Sequence, residues 1–132
     1  MDKVDAVESL QESSAPDSLI NVSGVESSEI LVLDSGVRVR LLGVKENPNR
    51  SFEACEFLRR ITANQRVFMK QDKIRETKEG GPLAYVYLED GRFLNAMLVK
   101  YDLVDVDEDT PFKYRERFLK RQRDNRNVSP KT

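Results

Sequence analysis

The chain has 132 residues, with 22 Lys plus Arg against 23 Asp plus Glu, no His and a single Cys. That length suits one domain with a real core. The missing His excludes His-based triads and His-ligated metal sites, and the lone Cys55 excludes an internal disulfide. No apolar run approaches the roughly 20 residues of a membrane span and the N-terminus has no h-region, so neither a transmembrane helix nor a signal peptide is expected. The expected setting is cytoplasmic, with no membrane partner.

Charge is unevenly spread. Residues 1–29 hold seven acids (Asp2, Asp5, Glu8, Glu12, Asp17, Glu26, Glu29) and one base, Lys3. Residues 111–132 hold eight bases (Lys113, Arg115, Arg117, Lys120, Arg121, Arg123, Arg126, Lys131) and two acids, Glu116 and Asp124. A basic end on a nearly neutral protein points to an anionic partner.

Residues 1–18, rich in Ser, Glu and Asp, read as a disordered acidic tail or linker with at most a frayed helix around Val4–Leu10. Leu19–Val25 alternates like a first strand and Glu29–Leu33 like a second, followed by an Asp34-Ser35-Gly36 turn. Val37–Val44 is the clearest alternation, with Val37, Val39 and Leu41 on one face and Arg38, Arg40 and Leu42 on the other. Lys45–Arg50 is a polar loop. Ser51 is a candidate N-cap for a helix to about Thr62, with Ala54, Phe57, Leu58 and Ile61 toward the core.

Arg66–Lys70 reads as a fourth strand, and Gln71–Pro82 as a charged loop ending in Gly80-Gly81-Pro82. The densest signal is Leu83–Tyr101. A Tyr/Val/Leu strand leads into Glu89-Asp90-Gly91, a hairpin signal, and Arg92-Phe93-Leu94 returns as a second strand. Leu94, Leu98 and Tyr101 then fall at helical spacing. Leu103–Val106 is a short extended piece. Thr110 is a candidate cap, with Pro111 opening a last helix that carries Tyr114, Phe118 and Arg121 on one face and frays after about Arg123. The domain is expected over 19–123, with 124–132 a polar tail. This element order predicts an α+β fold: a five-stranded barrel of the oligonucleotide-binding type with three helices.

On three stretches, VRVRLLGV at 37–44, EACEFLRRI at 53–61 and LAYVYLEDGRFLNAMLVKYDLVDV at 83–106, the chain resembles the staphylococcal nuclease family. The resemblance covers roughly residues 19–121. It implies the same five-stranded barrel with three helices. In active members it implies cleavage of DNA or RNA phosphodiesters with calcium. Such chemistry needs carboxylates to orient water and ligate the ion, and guanidinium groups to hold the charged phosphate.

The family places an arginine on the third strand, an Asp-Thr-Pro-Glu run after it, an aspartate before the second strand and a second arginine before the Leu-Ala-Tyr strand. Arg40 matches the first arginine. The run falls on Lys45-Glu46-Asn47-Pro48, the earlier aspartate near Ser28 and the second arginine on Gly81. A lysine in place of a ligand aspartate changes the local charge by two units, each worth ~4 kcal/mol at ~4 Å and an effective dielectric near 20. The expectation is a catalytically degenerate member with no catalytic set, no metal and no cofactor. The alternative is a nuclease with a rearranged site.

Other readings stay open at this level. Arg40 is either a retained phosphate contact or a solvated strand residue. Glu26, Asp34 and Glu46 could form a displaced metal site, although Lys45 lies beside Glu46. Arg59-Arg60, Lys70, Lys73, Arg75 and Lys78 could border a groove, but Asp72, Glu76 and Glu79 interleave with them. Tyr85 and Tyr87 share a strand face, as core residues or as a base-stacking platform. Cys55 reads as a small packing residue. The basic last helix, with Lys120, Arg121 and Arg123, is the strongest phosphate-binding candidate. The expected nucleic-acid contacts are Arg40, Arg59, Lys70, Lys120, Arg121 and Arg123, and the expected partner is single- or double-stranded DNA. The acidic start, read as an excised linker, suggests an accessory domain of a larger DNA-modifying enzyme such as a DNA methyltransferase. No methyltransferase motif occurs in the chain itself.

Overall fold

The computed structural model describes residues 19–128, so the readings made for 1–18 and 129–132 lie outside the described residues. In chain order the elements are β1 (Val22–Ser27), β2 (Ile30–Leu33), β3 (Arg38–Leu41), β4 (Val44–Glu46), α1 (Ser51–Thr62), β5 (Val67–Lys70), β6 (Leu83–Leu88), α2 (Leu94–Lys100), β7 (Val104–Val106) and α3 (Arg115–Val128). A five-stranded sheet runs β1-β2-β3-β6-β5, and β4 pairs separately with β7. Only β3 and β6 pair in parallel, with Arg40 opposite Leu83. Ile20, just before β1, exchanges both backbone hydrogen bonds with Val67 of β5 at 2.8 Å, which brings the two edges of the sheet together. The architecture is the expected α+β one, a five-stranded sheet with three helices. Val39, Leu41, Leu58, Tyr85 and Leu98 are all buried in its core, as the alternation and helical spacing predict.

The third strand departs from expectation at Gly43. Its backbone is left-handed (φ 88°), and a Cβ there would come within 2.7 Å of the Phe112 ring. The chain turns at this point, so Val37–Val44 divides into β3 and β4, and the polar loop yields Lys45 and Glu46 to a strand. The turn also carries Leu42 into the core, off the face of Arg38 and Arg40, while Val37 stays exposed. At Asp90-Gly91 the turn forms, with Gly91 at φ 95°. The returning strand is a single bridge between Tyr87 and Phe93, because α2 begins at Leu94. The true partners of β6 are β5 and β3. At α1, Ser51 is the first helical residue and Arg50 takes the cap position with no side-chain capping bond.

Asn95 ties these parts together. Fully buried, it accepts from the Val86 backbone N–H (2.8 Å) and donates to the Leu42 (2.8 Å) and Ala84 (3.3 Å) carbonyls. It thereby joins β6, the Gly43 corner and α2, and its own polar atoms are satisfied, as burial requires. The helix α2 ends in a Schellman turn: Leu103 N–H bonds the Leu98 carbonyl and Asp102 N–H the Val99 carbonyl, with Asp102 left-handed at φ 58°.

The last helix starts at Arg115, not beside Pro111, and continues to Val128, past the point where fraying is expected. Few of its residues are apolar. Phe118 is buried, and the docking face continues through polar side chains rather than through exposed Arg121. Gln122 accepts from Val106 N–H at 2.9 Å, Asn125 donates to the Val99 carbonyl at 2.8 Å, and Arg126 pairs with Asp102 (3.0 Å) and Asp105 (2.8 Å). These contacts hold the C-terminal turns that the polar composition alone would leave frayed.

Candidate nucleic-acid interface

Arg38 and Arg40 lie two residues apart on β3 and therefore on one face. Both line a cleft of about 350 Å³ whose other wall is Thr77, Glu79, Gly80, Gly81 and Pro82. The Arg40 N–H bonds the Pro82 carbonyl at 2.9 Å, so the Gly-Gly-Pro loop is fastened to the strand at this point. Gly81, the position expected for a second arginine, does lie beside Arg40, but it offers no guanidinium. A Cβ there would sit 3.4 Å from the Arg38 carbonyl oxygen.

Both guanidinium groups of this cleft are already answered by carboxylates of the chain. Arg38 makes a bidentate pair with Glu26 at 2.6 and 2.5 Å, which holds the Glu26 carboxyl below the usual carboxylate range. Arg40 pairs with Glu29, whose second oxygen accepts the Glu46 backbone N–H at 2.6 Å. Glu29 is the residue that sequence reading missed. The expected aspartate position, Ser28, is fully buried with no hydrogen-bond partner for its hydroxyl among the described residues. Its neighbour, at the head of a strand antiparallel to β3, is the acid that reaches Arg40.

The residues present do not fit a calcium ion. Calcium takes six to eight oxygen ligands, mostly from carboxylates. Here Lys45 is exposed, and the Asn47 side chain is engaged with Asp105 at 3.2 Å. Glu29 is committed to Arg40. Nor do Glu26, Asp34 and Glu46 form a displaced site: among the described residues no three Cys, Asp or Glu side chains gather as a metal cluster.

A second basic surface lies between α2 and α3. A groove of about 470 Å³ there is floored by Phe93, Ala96, Met97 and Phe118 and edged by Arg92, Lys100, Arg117, Lys120 and Arg121, with one acid, Asp124, among them. Arg92 pairs with Asp90 and Lys120 with Asp124. Among the described residues, Lys100, Arg117 and Arg121 have no carboxylate within ion-pair distance. Tyr101, at the end of α2, stands in the groove wall with its side chain 49% exposed.

The structure therefore divides the expected contacts. Lys120 and Arg121 share this groove with Arg117 of the same helix, joined by Arg92 and Lys100, which sequence reading did not group with them. Arg40 lines the other cleft, and Arg123, though exposed, lines neither. Arg59 is paired with Glu56 on α1, and Lys70 lies 5.4 Å from the centroid of the Tyr87 ring. The mixed loop after β5 folds back: Asp72 accepts the Tyr85 hydroxyl at 2.5 Å and the Lys113 N–H at 2.8 Å. That hydroxyl bond, above all, holds the Asp72 carboxyl below its ordinary value.

Tyr85 and Tyr87 do not form an open stacking platform. Tyr85 is buried, and Tyr87 lies parallel to Phe68 (5.2 Å, 9°) and to Phe93 (4.7 Å, 13°). Burial, with Tyr114 adding to it, pushes the Tyr87 hydroxyl up to about 12, so it stays neutral within this stack. Cys55 is half-buried, and burial, above all, raises its thiol above the ordinary value.

A family model described as staphylococcal nuclease homologue matches residues 38–128, from β3 through α3. No curated protein matches the chain. Among the described residues no helix is long and apolar enough to cross a membrane.

Proposed function

The chain belongs to the staphylococcal nuclease homologue family, and we propose that within it the protein is a nucleic-acid-binding module that does not cut phosphodiesters with calcium. The observation that carries this reading is where unanswered positive charge lies. At the Arg40 cleft each arginine is neutralised by a glutamate of the chain, and on the family resemblance Lys45 and Ser28 stand at the aspartate positions, Pro48 at the catalytic glutamate and Gly81 at the second arginine. Between α2 and α3, cations without carboxylate partners face solvent. Losing one guanidinium from a phosphoryl-transfer site costs on the order of 10³-fold, and here the carboxylates go as well. The acidic composition of residues 1–18 supports a further part of the proposal: the module serves as an accessory domain of a larger DNA-modifying enzyme, such as a DNA methyltransferase, by analogy of fold.

One purified protein tests both halves. With millimolar calcium it should leave single-stranded DNA intact. Cleavage abolished by Arg40→Ala would restore the enzyme reading. In fluorescence anisotropy, a labelled oligonucleotide should bind no tighter than about the micromolar range at physiological salt, with affinity falling steeply as salt rises. Replacing Lys120, Arg121 and Arg123 together with Gln should flatten that dependence, and Cys55→Ser should leave it unchanged. Absence of binding at low salt would point to a protein-interaction or structural role.

A further inference from the structure

We infer that the groove between α2 and α3 is a single-strand site, in which the Tyr101 ring stacks on an unpaired base while Lys100, Arg117 and Arg121 hold the neighbouring phosphates. This rests on the nucleic-acid reading and narrows it to one class of ligand, one place and one aromatic residue.

Three observations carry it. First, Tyr101 is a large aromatic side chain left half in solvent at the rim of a basic groove. Its one ring partner among the described residues is Phe57, set edge-on (5.7 Å, 64°); no ring lies parallel to it, and the Lys100 ammonium lies 5.7 Å from its centroid. Tyr87, by contrast, has its stacking partners within the fold. Second, the ring stands on a rigid base. Tyr101 N–H bonds the Met97 carbonyl at 3.0 Å, and the next residue, Asp102, is gripped by Arg50 at its carbonyl (3.1 Å) and by Arg126 at its carboxylate (3.0 Å). A platform already ordered loses little entropy when a base lands on it. Third, the cations beside it are mostly arginines, whose planar forks suit phosphate oxygens, and the groove floor is apolar.

The chemistry favours a single strand over a duplex. Bases of a duplex are already stacked on one another, and an aromatic side chain gains nothing from them without unstacking. A single strand presents base faces as well as phosphates, and each base stacked on an aromatic ring is worth about 5- to 150-fold in affinity, whatever its sequence. An acidic peptide would satisfy the same cations but has no flat face for Tyr101, so it accounts for only part of the site.

The test uses the whole 132-residue chain, which contains no Trp, so that Tyr101→Trp introduces a single indole reporter. A single-stranded oligodeoxynucleotide should quench that indole, whereas a duplex of the same sequence and poly-glutamate should not. By anisotropy, Tyr101→Ala should weaken single-strand binding about 5- to 150-fold with an unchanged salt slope and little effect on the duplex. Tyr101→Phe should bind like the parent, which separates loss of the ring from loss of the fold. Undiminished single-strand binding by Tyr101→Ala, with no quenching, would refute the stacking site while leaving the nucleic-acid reading intact. No oligonucleotide binding by the parent chain at low salt would end both. Quenching by poly-glutamate equal to that by the oligonucleotide would reassign the groove to acidic peptides.

Discussion

At the cleft beside β3 each guanidinium meets a carboxylate of the chain, Glu26 for Arg38 and Glu29 for Arg40. In the α2–α3 groove Lys100, Arg117 and Arg121 meet none among the described residues. The first region holds Arg40, the residue that the family resemblance singles out, and the second holds none of the positions it singles out. The contrast shows that a conspicuous arginine on a strand is not by itself an anion site. An anion must displace whatever already balances the charge, and at Arg40 that is a Glu29 carboxylate only 17% exposed. In the groove Lys120 is held by Asp124 and Arg92 by Asp90, but Lys100, Arg117 and Arg121 have no such competitor among the described residues. The cations without a carboxylate partner among the described residues therefore lie on the helical side.

The sharpest way to break this comparison is to neutralise each region in turn. Arg117→Gln with Arg121→Gln should weaken oligonucleotide binding by at least about a hundredfold, since each charge-assisted contact is worth about 1.5–3 kcal/mol. The log–log salt slope should fall by about 1.4, at ~0.7 per lost phosphate contact. Arg40→Ala should change neither quantity. Anisotropy titrations across salt concentrations decide it, and a larger effect from Arg40→Ala would place the nucleic acid in the wrong region here.

Removing the carboxylate asks whether pairing is what silences the first cleft. Glu29→Gln should cost about 2 kcal/mol in urea unfolding, because the Arg40 guanidinium and the Glu46 N–H lose a charged acceptor. If pairing is the cause, the same variant should bind oligonucleotide a few-fold more tightly, and the gain should vanish in the double variant with Arg40→Ala. A gain that survives Arg40→Ala would show that Arg40 is not the anion site released.

The Gly43 corner joins the arginine strand to the segment leading into α3. Gly43→Ala should lower stability by about 1–2 kcal/mol through its left-handed backbone, and further through contact with Phe112. Thermal unfolding measures it, and a midpoint equal to the parent's would contradict the tight packing at this corner.

The smallest effect concerns the link between the two regions, where Asp72 ties the charged loop to Tyr85 and Lys113. Its folded-state pKa lies below the ordinary 3.8. The stabilisation is therefore whole above pH 3.8 and lost as pH falls through the lower folded-state value. Asp72→Asn should flatten the acid limb of the stability–pH curve by less than about 1 kcal/mol, the scale of one hydrogen bond. An acid limb identical to the parent's would remove Asp72 from the set of acid-sensitive contacts.

Much of this is legible in the sequence. The period-two run at Val39 and Leu41, the helical spacing of Ala54 and Leu58, and the Asp90-Gly91 turn each depend on residues within a few positions of one another. The breakdown of the third strand at Gly43 was less legible, because a glycine within an apolar run reads as strand until Phe112, far along the chain, is seen against it. The docking of α3 was hidden for a related reason. Gln122, Asn125 and Arg126 look like solvent residues, and only the carbonyl of Val99 and the carboxylates of Asp102 and Asp105 make them a packing face.

The sequence by itself determined the order of the main strands and helices, most of the core and the absence of any His site. All of these follow from residue identity and local spacing. Tertiary structure alone decided which charges are available. Glu29 is 11 positions from Arg40 and Asp102 is 24 from Arg126, and each pair meets only once strands and helices have packed. Coulomb attraction depends on distance in space and on the water excluded between the groups. A charge count along the chain therefore cannot separate a neutralised arginine from one still open to a phosphate.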